Sequence, residues 1–204
     1  MQSIAAGIRP SRLNGSGSPD GDLSHEDLRG IVEDALRGVE ANSRVLAVVP
    51  DKTRDDNTHI LFPFSSEILL SKNVARFDAL IAQGTHAPMT PDEKAKKIGI
   101  GDGIVLDGLG RVYDHHWSDA SELVQIGELT AGVVAELTNG LFKKAIPLTI
   151  NRLLAPGGYD HILIFGATVP HEVAGFAGGA KYFFPGVSGS ELTHATHWLG
   201  ALAG

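Results

Sequence analysis

The chain has 204 residues, of which 43% are hydrophobic and 20% are charged, an ordinary composition for a globular protein with a sizeable core. Its formal net charge of -7 argues against a nucleic-acid-binding surface, and the absence of cysteine excludes disulfides and thiolate metal sites. A metal would therefore be held by histidine, by carboxylate or by sulfur from a cofactor. Since neither a signal-peptide pattern nor a membrane-spanning apolar run is found, we expect a cytoplasmic protein without a membrane partner.

The first half of the sequence predicts helices that alternate with short buried strands. Residues 1–23 contain GSGSPDG and predict a flexible leader. Ser24 and Asp27 form a capping-box pattern, which predicts a helix that runs to about Glu40. The elements predicted after it are a strand at 45–49, a helix from about Thr58, a strand at 77–82, and a helix that starts at Thr90-Pro91-Asp92-Glu93 and stops near Gly99.

The second half of the sequence gives weaker signals. Residues 101–121 predict loop and a short strand, and residues 123–126 and 133–137 predict a hairpin. Residues 146–154 predict a helix that ends before Pro-Gly-Gly. A third buried strand is predicted at 161–165, and it runs into a glycine-rich stretch. The alternation of strands and helices predicts an α/β fold with a mostly parallel sheet flanked by helices.

Polar side chains follow three of the predicted strands, within a domain that we assign to residues 24–204. Asp51 and Arg54 follow the first strand, His86 follows the second, and His171 follows the third. In open α/β sheets, ligands bind outside the carboxyl ends of the strands. The pattern therefore predicts one shared site at this edge of the sheet.

The residue types at this edge suit acid–base chemistry on an anionic substrate. His86 and His171 can each take up and release a proton near neutral pH, although each could instead cap a turn. Arg54 can hold a carboxylate through two hydrogen bonds, and Asp51 can orient either Arg54 or a histidine. Alternatively, Asp51 and Arg54 can form a surface ion pair. Lys181 follows Gly-Gly-Ala in apolar surroundings, and an amine that burial keeps neutral is a nucleophile. The alternative is a solvated surface lysine, which is the usual state of this residue type.

Four motifs in this sequence closely resemble those of the nickel-dependent lactate racemase family. They are DKTR at 51–54, GTH at 84–86, PHEVAGFAGGAKYFFPGVSG at 170–189, and THW at 196–198. They occur in the family's order and extend over residues 45–198, which is most of the chain. The resemblance implies an enzyme that racemises or epimerises a 2-hydroxy acid such as lactate.

The resemblance also implies a role for each matching residue. In the family, the histidines of the GTH and PHE motifs, here His86 and His171, act as acid and base. The lysine that corresponds to Lys181 carries a covalently attached nickel-pincer nucleotide of the pyridinium type. His197, sixteen residues further on, has the spacing of the nickel ligand. His194 lies three residues earlier and is the alternative ligand.

The implied reaction is a reversible hydride transfer from C2 of the substrate to the cofactor, with the histidines moving the hydroxyl proton. Gly178 and Gly179 could bring backbone N–H groups to the cofactor phosphate. The resemblance implies cofactor-making and cofactor-inserting enzymes as partners. Family members are longer and have a second domain over the site, so we expect this chain to lack that domain.

Two other functions remain open on the residues alone. His86, His171 and His197 could hold zinc or iron in a hydrolase or lyase, or the domain could bind a cofactor without catalysis. The sequence also leaves open the roles of His115 and His116, because the family often shows His-Asp-Trp where this chain has His-His-Trp.

Overall fold

In a computed structural model of the protein, the structure describes residues 15, 17, 20–100, 109–171 and 175–203. The helices are α1 (His25–Ala35), α2 (Thr58–Ser71), α3 (Pro91–Lys97), α4 (Ala131–Leu137) and α5 (Ser190–Ala203). The strands are β1 (Arg44–Pro50), β2 (Arg76–Ala82), β3 (Val112–Tyr113), β4 (Leu123–Leu129), β5 (Ile146–Asn151), β6 (His161–Ile164), β7 (Val169–His171) and β8 (Gly175–Ala177).

Four parallel strands form the central sheet in the order β3-β2-β1-β6. The chain adds β2 and β3 on one side of β1 and then returns to place β6 on the other side. Two antiparallel pairs, β4 with β5 and β7 with β8, lie outside this sheet. The predicted α/β fold with a mostly parallel sheet is confirmed, and its strand order reverses beside β1, the point where such sheets bind ligands.

Alternate residues of β1 pack into two separate cores. Val45, Ala47 and Val49 face one core, which α1 and α2 cover with Val32, Leu36, Phe62 and Leu69. Leu46 and Val48 face the other core, where they pack with Leu80, Tyr182 and Val187. The glycine-rich stretch therefore forms part of the second core, because both Tyr182 and Val187 belong to it.

The structure confirms both predicted capping boxes. The side chain of Ser24 accepts a hydrogen bond from the Asp27 N–H and Thr90 accepts one from Glu93, while each acidic side chain accepts from the capping residue. Helix α1 ends at Ala35 rather than near Glu40. The apolar pattern continues past this end because Leu36 and Val39 remain buried in the turn that follows.

Two predicted elements are wrong in type. Residues 133–137 were expected to be a strand but belong to α4, which starts after the cap Thr130 and buries Val134. Residues 146–154 were expected to be a helix but form β5 and a short 3-10 turn, because the strand Leu123–Leu129 pairs with them along its length. Pairing with β4 overrides the weak local preference of β5, whereas α4 begins at a side-chain cap from Thr130 despite its β-branched Val133 and Val134.

Other parts of the predictions fall partly outside the described residues. The predicted leader 1–23 is described only at 15, 17 and 20–23, and the predicted loop 101–121 only from 109 onwards. The domain limits stay a prediction. None of the helices in the described ranges is both long and apolar enough to cross a bilayer.

Candidate active site

A cleft of about 390 Å³ opens at the carboxyl edge of the parallel sheet. This volume lies within the range of about 300–1,000 Å³ that is usual for small-molecule sites. The cleft is lined by all the predicted site residues except Gly179, namely Asp51, Arg54, His86, His171, Gly178, Lys181 and His197. Residues as distant in sequence as Asp51 and His197 therefore share one concave surface.

Asp51, His86 and His171 come from three different chain segments, each at or just beyond the end of a strand. Asp51 directly follows β1, and His86 closes a turn after β2 in which its N–H donates to the Gln83 carbonyl at 2.9 Å. After β6 the chain forms the antiparallel pair of β7 and β8, and His171 is the last residue of β7. The turn after β2 is joined to the glycine-rich stretch, since the Gly84 N–H donates to the Gly186 carbonyl at 2.9 Å.

Asp51 orients His86. The Oδ2 atom of Asp51 lies 2.5 Å from Nδ1 of His86, and Oδ1 accepts hydrogen bonds from the N–H and hydroxyl of Thr53 at 3.0 and 2.6 Å. Burial alone would raise the pKa of Asp51, but the hydrogen bonds from Thr53 and His86 outweigh it, and the pKa lies below its ordinary value. An ionised Asp51 accepts the proton of Nδ1, so Nε2 of His86 is left to exchange protons with a ligand.

The loop that carries Arg54 is held by a lysine of α3. Nζ of Lys97 donates to the carbonyl of Arg54 at 2.6 Å and pairs with Asp56 at 2.9 Å. The Asp56 side chain is 1% exposed and that of Lys97 is 10% exposed. The Arg54 N–H donates to the Asp51 carbonyl at 3.3 Å, whereas the Asp51 carboxylate pairs with His86.

A 3-10 turn at Gly179–Tyr182 presents Lys181 to the cleft. The turn is entered through Gly178, which has a φ of +88°, a conformation that side chains rarely adopt. A Cβ on Gly178 would also lie 2.4 Å from the carbonyl oxygen of Ala167. Only glycine permits this approach, which brings the turn against the end of the β6 segment.

Helix α5 carries both candidate nickel ligands, but they have different surroundings. His197 lines the cleft. His194 instead meets the ring of Trp117 edge-on, with 5.6 Å between the ring centroids. His194 is not one of the residues that line the cleft, although it is only three residues away.

His115 lies buried behind the cleft and joins three segments. Its Nε2 donates to the Ser188 carbonyl at 3.0 Å, and its Nδ1 accepts from the Asn151 amide at 3.3 Å. The Gln83 amide donates to the backbone carbonyl of His115 at 3.0 Å. Burial lowers the pKa of His115, which keeps the ring neutral and supports a structural role. His116, by contrast, is exposed and pairs with Glu122.

Five further polar residues line the cleft, and none of them was assigned a role from the sequence. They are Gln83, Thr85, Tyr182, Thr193 and Thr196. Tyr182 was hidden because it belongs to an aromatic run, Tyr-Phe-Phe, that is typical of core. Thr193 and Thr196 could have been found from helical spacing, since Thr193 lies three residues before Thr196 and four before His197 on α5.

The residues that are present fit the lysine-tethered, nickel-containing nucleotide that the resemblance implies. Lys181, whose amine can form a covalent bond, and His197, whose imidazole can bind a metal, border the same cleft. The space beside Gly179 is open, since a Cβ on this residue would have no described atom within 4 Å other than those of its chain neighbours. Across residues 15, 17, 20–100, 109–171 and 175–203, no three or more His, Asp or Glu side chains are grouped to share a metal ion.

The chain is similar to known proteins over most of its length. It is 29% identical to the lactate racemase of Lactiplantibacillus plantarum over 167 residues, which cover 81% of this chain and 34% of that protein. It is also 29% identical to the lactate racemase of Thermoanaerobacterium thermosaccharolyticum over 159 residues, which cover 78% of this chain and 33% of that protein. The chain thus spans about a third of the length of these relatives.

A solved structure has the same fold. The crystal structure of a Thermotoga maritima protein from a structural genomics programme superposes with a TM-score of 0.80 at 33% identity, covering 89% of this chain and 42% of that one. The sequence profile of the lactate racemase N-terminal domain family matches residues 27–203. The protein described here therefore belongs to the lactate racemase N-terminal domain family.

Proposed function

We propose that this domain is the catalytic, cofactor-binding part of a nickel-dependent racemase or epimerase of a lactate-like 2-hydroxy acid. The observation that carries the proposal is the shared cleft, in which His86 and His171 come from separate segments and border the same volume as Arg54 and Lys181. Racemisation requires access to both faces of one carbon atom. Two histidines that reach one cleft from different chain segments would meet that requirement.

Lys181 and His197 would hold the cofactor in this proposal. Lys181 would carry the nickel-pincer nucleotide through a covalent bond, and His197 would supply the protein ligand to nickel. Gly178 and Gly179 would lie beside its phosphate, because backbone N–H groups at such turns bind anions. When bound, this cofactor would supply a reversible acceptor for the hydride at C2 of the substrate.

The remaining site residues would bind the substrate and move its proton. Arg54 would hold the carboxylate of the hydroxy acid, with its loop fixed by Lys97. His86 would take the hydroxyl proton on Nε2, and the Asp51 carboxylate would stabilise the positive charge that the ring then acquires. His171 would serve the opposite enantiomer in the same way. The roles of the two histidines would exchange with the direction of the reaction.

The substrate of this domain would be a small 2-hydroxy acid in the cytoplasm. The partners of the domain would be the enzymes that make and insert the cofactor. No role in binding nucleic acid or membranes is proposed.

Mass spectrometry of the Lys181 peptide tests the cofactor assignment. The chain is co-expressed with the cofactor-making enzymes, and its nickel content is measured in parallel with a Lys181→Arg variant, which keeps the positive charge but cannot form the bond. We expect a nucleotide-sized added mass on Lys181 and about one nickel per chain, both lost in the variant. An unmodified Lys181, under conditions that load the Lactiplantibacillus plantarum relative, would contradict the assignment.

The same experiment separates the other candidate functions. Zinc or iron without an added mass on Lys181 would favour a histidine-ligated hydrolase or lyase. An added mass and nickel without racemisation of any 2-hydroxy acid would favour a domain that binds the cofactor without catalysis.

A further inference from the structure

Tyr182 has an unusual position for an aromatic residue of the core. Only 8% of the surface of Tyr182 is exposed to solvent, and this residue packs with Leu46, Val48 and Val187 in the second core. Tyr182 nevertheless lines the cleft together with Lys181, its neighbour in sequence. The ring is thus anchored in the core while part of the side chain borders the site.

The hydroxyl of Tyr182 is accommodated by a glycine at the end of β6. A Cβ on Gly166 would lie 2.0 Å from the Tyr182 hydroxyl oxygen, and Gly166 has a φ of +133°. Any side chain at this position would displace the phenol. The absence of a Cβ there allows the hydroxyl to reach the carboxyl edge of the sheet, where the site lies.

The Tyr182 hydroxyl makes no hydrogen bond to any residue that the structure describes. The two carboxylates whose charges act on the phenol are already engaged, since Asp51 binds Thr53 and His86, and Asp56 binds Lys97. Burial raises the pKa of Tyr182, and the negative charge of Asp56 raises it further, so the phenol stays protonated. Tyr182 therefore lines a ligand-sized cleft and carries a hydrogen-bond donor that is not used by the described residues.

The positive charge nearby indicates the kind of acceptor that would complete the site. Arg54 lines the same cleft, and its charge is felt at the Tyr182 phenol. A guanidinium and a phenolic O–H together favour an anionic oxygen, because charge-assisted hydrogen bonds are stronger than neutral ones. Both ligands of the proposed function carry such oxygens, one as a carboxylate and the other as a phosphate.

We propose that Tyr182 is a ligand-binding residue whose hydroxyl donates a hydrogen bond to an anionic oxygen on the Arg54 side of the cleft. The oxygen belongs either to the carboxylate of the 2-hydroxy acid or to the phosphate of the nucleotide. The inference rests on the proposed function, because it takes the ligand classes from there. It assigns to a residue of the aromatic core a direct part in binding.

Fluorine NMR gives a direct test, because the sequence contains only three tyrosines. The chain is produced with 3-fluorotyrosine, and the Tyr182 resonance is assigned with the Tyr182→Phe variant, which keeps the ring in the core. Tyr113 and Tyr159 serve as internal controls, since they bind Arg76 and Asp78 near the opposite edge of the sheet. The probes are glycolate, which has the carboxylate and hydroxyl common to the substrate class, and inorganic phosphate.

We expect the Tyr182 resonance to shift on addition of a probe while the other two resonances stay in place. A shift with glycolate identifies the acceptor as the carboxylate, and a shift with phosphate alone identifies it as the nucleotide phosphate. Calorimetry should show that Tyr182→Phe weakens binding of that probe about tenfold, whereas Tyr159→Phe leaves it unchanged.

The result that would overturn the inference differs from the result that would overturn the proposed function. If neither glycolate nor phosphate moves the Tyr182 signal, and Tyr182→Phe binds both probes as well as the unchanged protein does, the inference is wrong and the proposed function stands. If the folded, cofactor-loaded protein binds no 2-hydroxy acid at all, the proposed function fails, and the carboxylate form of the inference fails with it. Thermal unfolding of Tyr182→Phe establishes that the variant is folded.

Discussion

Nδ1 of His86 lies 2.5 Å from the Asp51 carboxylate, although the two residues come from the ends of different strands. The contact depends on the parallel pairing of β1 with β2, which brings Pro50 level with Ala82 and so places the two following turns side by side. It determines which nitrogen of His86 faces the cleft. A histidine oriented in this way is prepared to act as a base before a ligand arrives.

Asp51→Asn should therefore impair catalysis far more than folding. An amide can donate to Nδ1 of His86, which would leave the proton on Nε2, where a base must have none. The rate of racemisation in the loaded enzyme should fall by about 10²–10⁴-fold, as expected when a histidine is held in the wrong tautomer. The control is Asp160→Asn, since Asp160 is bound by Arg44 at the opposite edge of the sheet. Equal rates in both variants would contradict the role of Asp51.

Deuterium labelling distinguishes hydride storage from simple proton exchange. In the proposed reaction the C2 hydrogen leaves and returns as hydride, without passing through a histidine. Lactate or another accepted 2-hydroxy acid that carries deuterium at C2 should therefore racemise in ordinary water and keep its label. NMR of the product would show this, and loss of the deuterium to solvent would contradict a hydride mechanism.

Lys97→Met should loosen the loop that carries Arg54. Removing the lysine leaves the buried Asp56 with a hydrogen bond from the Thr58 N–H but without its cation, which should cost about 3 kcal/mol in the free energy of unfolding. Because the carbonyl of Arg54 also loses its donor, KM for the hydroxy acid should rise more than kcat falls. The matched control is Lys96→Met on the exposed side of α3, which should change neither quantity. A shift in unfolding without a change in KM would show that Lys97 acts on stability alone.

His115 should make the protein less stable as the pH falls. Its pKa in the folded state is lowered by burial, so below about pH 6.5 the unfolded chain binds a proton that the folded protein does not. Stability should be unaffected by His115 above that pH and should decline below it. We expect His115→Gln to be less stable at about pH 7.5 but to lose less stability between about pH 7.5 and 5.5. Denaturant unfolding at the two pH values measures the stability of each protein and the stability that it loses between them. If the variant and the unchanged protein lose the same free energy of unfolding, the result counts against a buried, neutral His115.

Gly166→Ala should lower stability and disturb the cleft. The added methyl would lie 2.0 Å from the Tyr182 hydroxyl oxygen, on a backbone whose φ of +133° already disfavours any side chain. The expected loss is about 2–3 kcal/mol, from strain and from displacement of a core ring. Gly30→Ala in the exposed middle of α1 is the opposite case, since a methyl there meets no described atom within 4 Å outside its own helix. It should raise the free energy of unfolding by about 0.5–1 kcal/mol.

Much of the fold could be predicted because its local signals agree with its tertiary structure. The apolar run at 45–49 forms the central strand, and the capping patterns at Ser24 and Thr90 begin helices where expected. The pair β4–β5 could not be foreseen, because neither strand has a strong pattern of its own and each is stabilised by the other. The segment of α4 misled for another reason, because its adjacent Val133 and Val134 are β-branched residues that are typical of strands.

The candidate site likewise contains residues that could be predicted from the sequence and residues that could not. Asp51, His86 and Lys181 stand out in the sequence because polar residues there interrupt apolar or glycine-rich segments. The partner of Asp51 was open between Arg54, three residues away, and a histidine, and the structure pairs it with His86, 35 residues away. Tyr182 and His115 were obscure because their roles depend on what surrounds them in space, namely Gly166 for one and Asn151 with Ser188 for the other.

The double-sided packing of β1 has a consequence for how the domain can diversify. Because Leu46 and Val48 pack against Tyr182 and Val187, the segment that carries Lys181 cannot be redesigned without altering the folding core. New substrate preferences are therefore more accessible through positions that border the cleft but bury little, such as Thr196 on α5. In a library of variants, tolerated changes should be more frequent at such positions than in the turn that carries Lys181, which is built into the folding core.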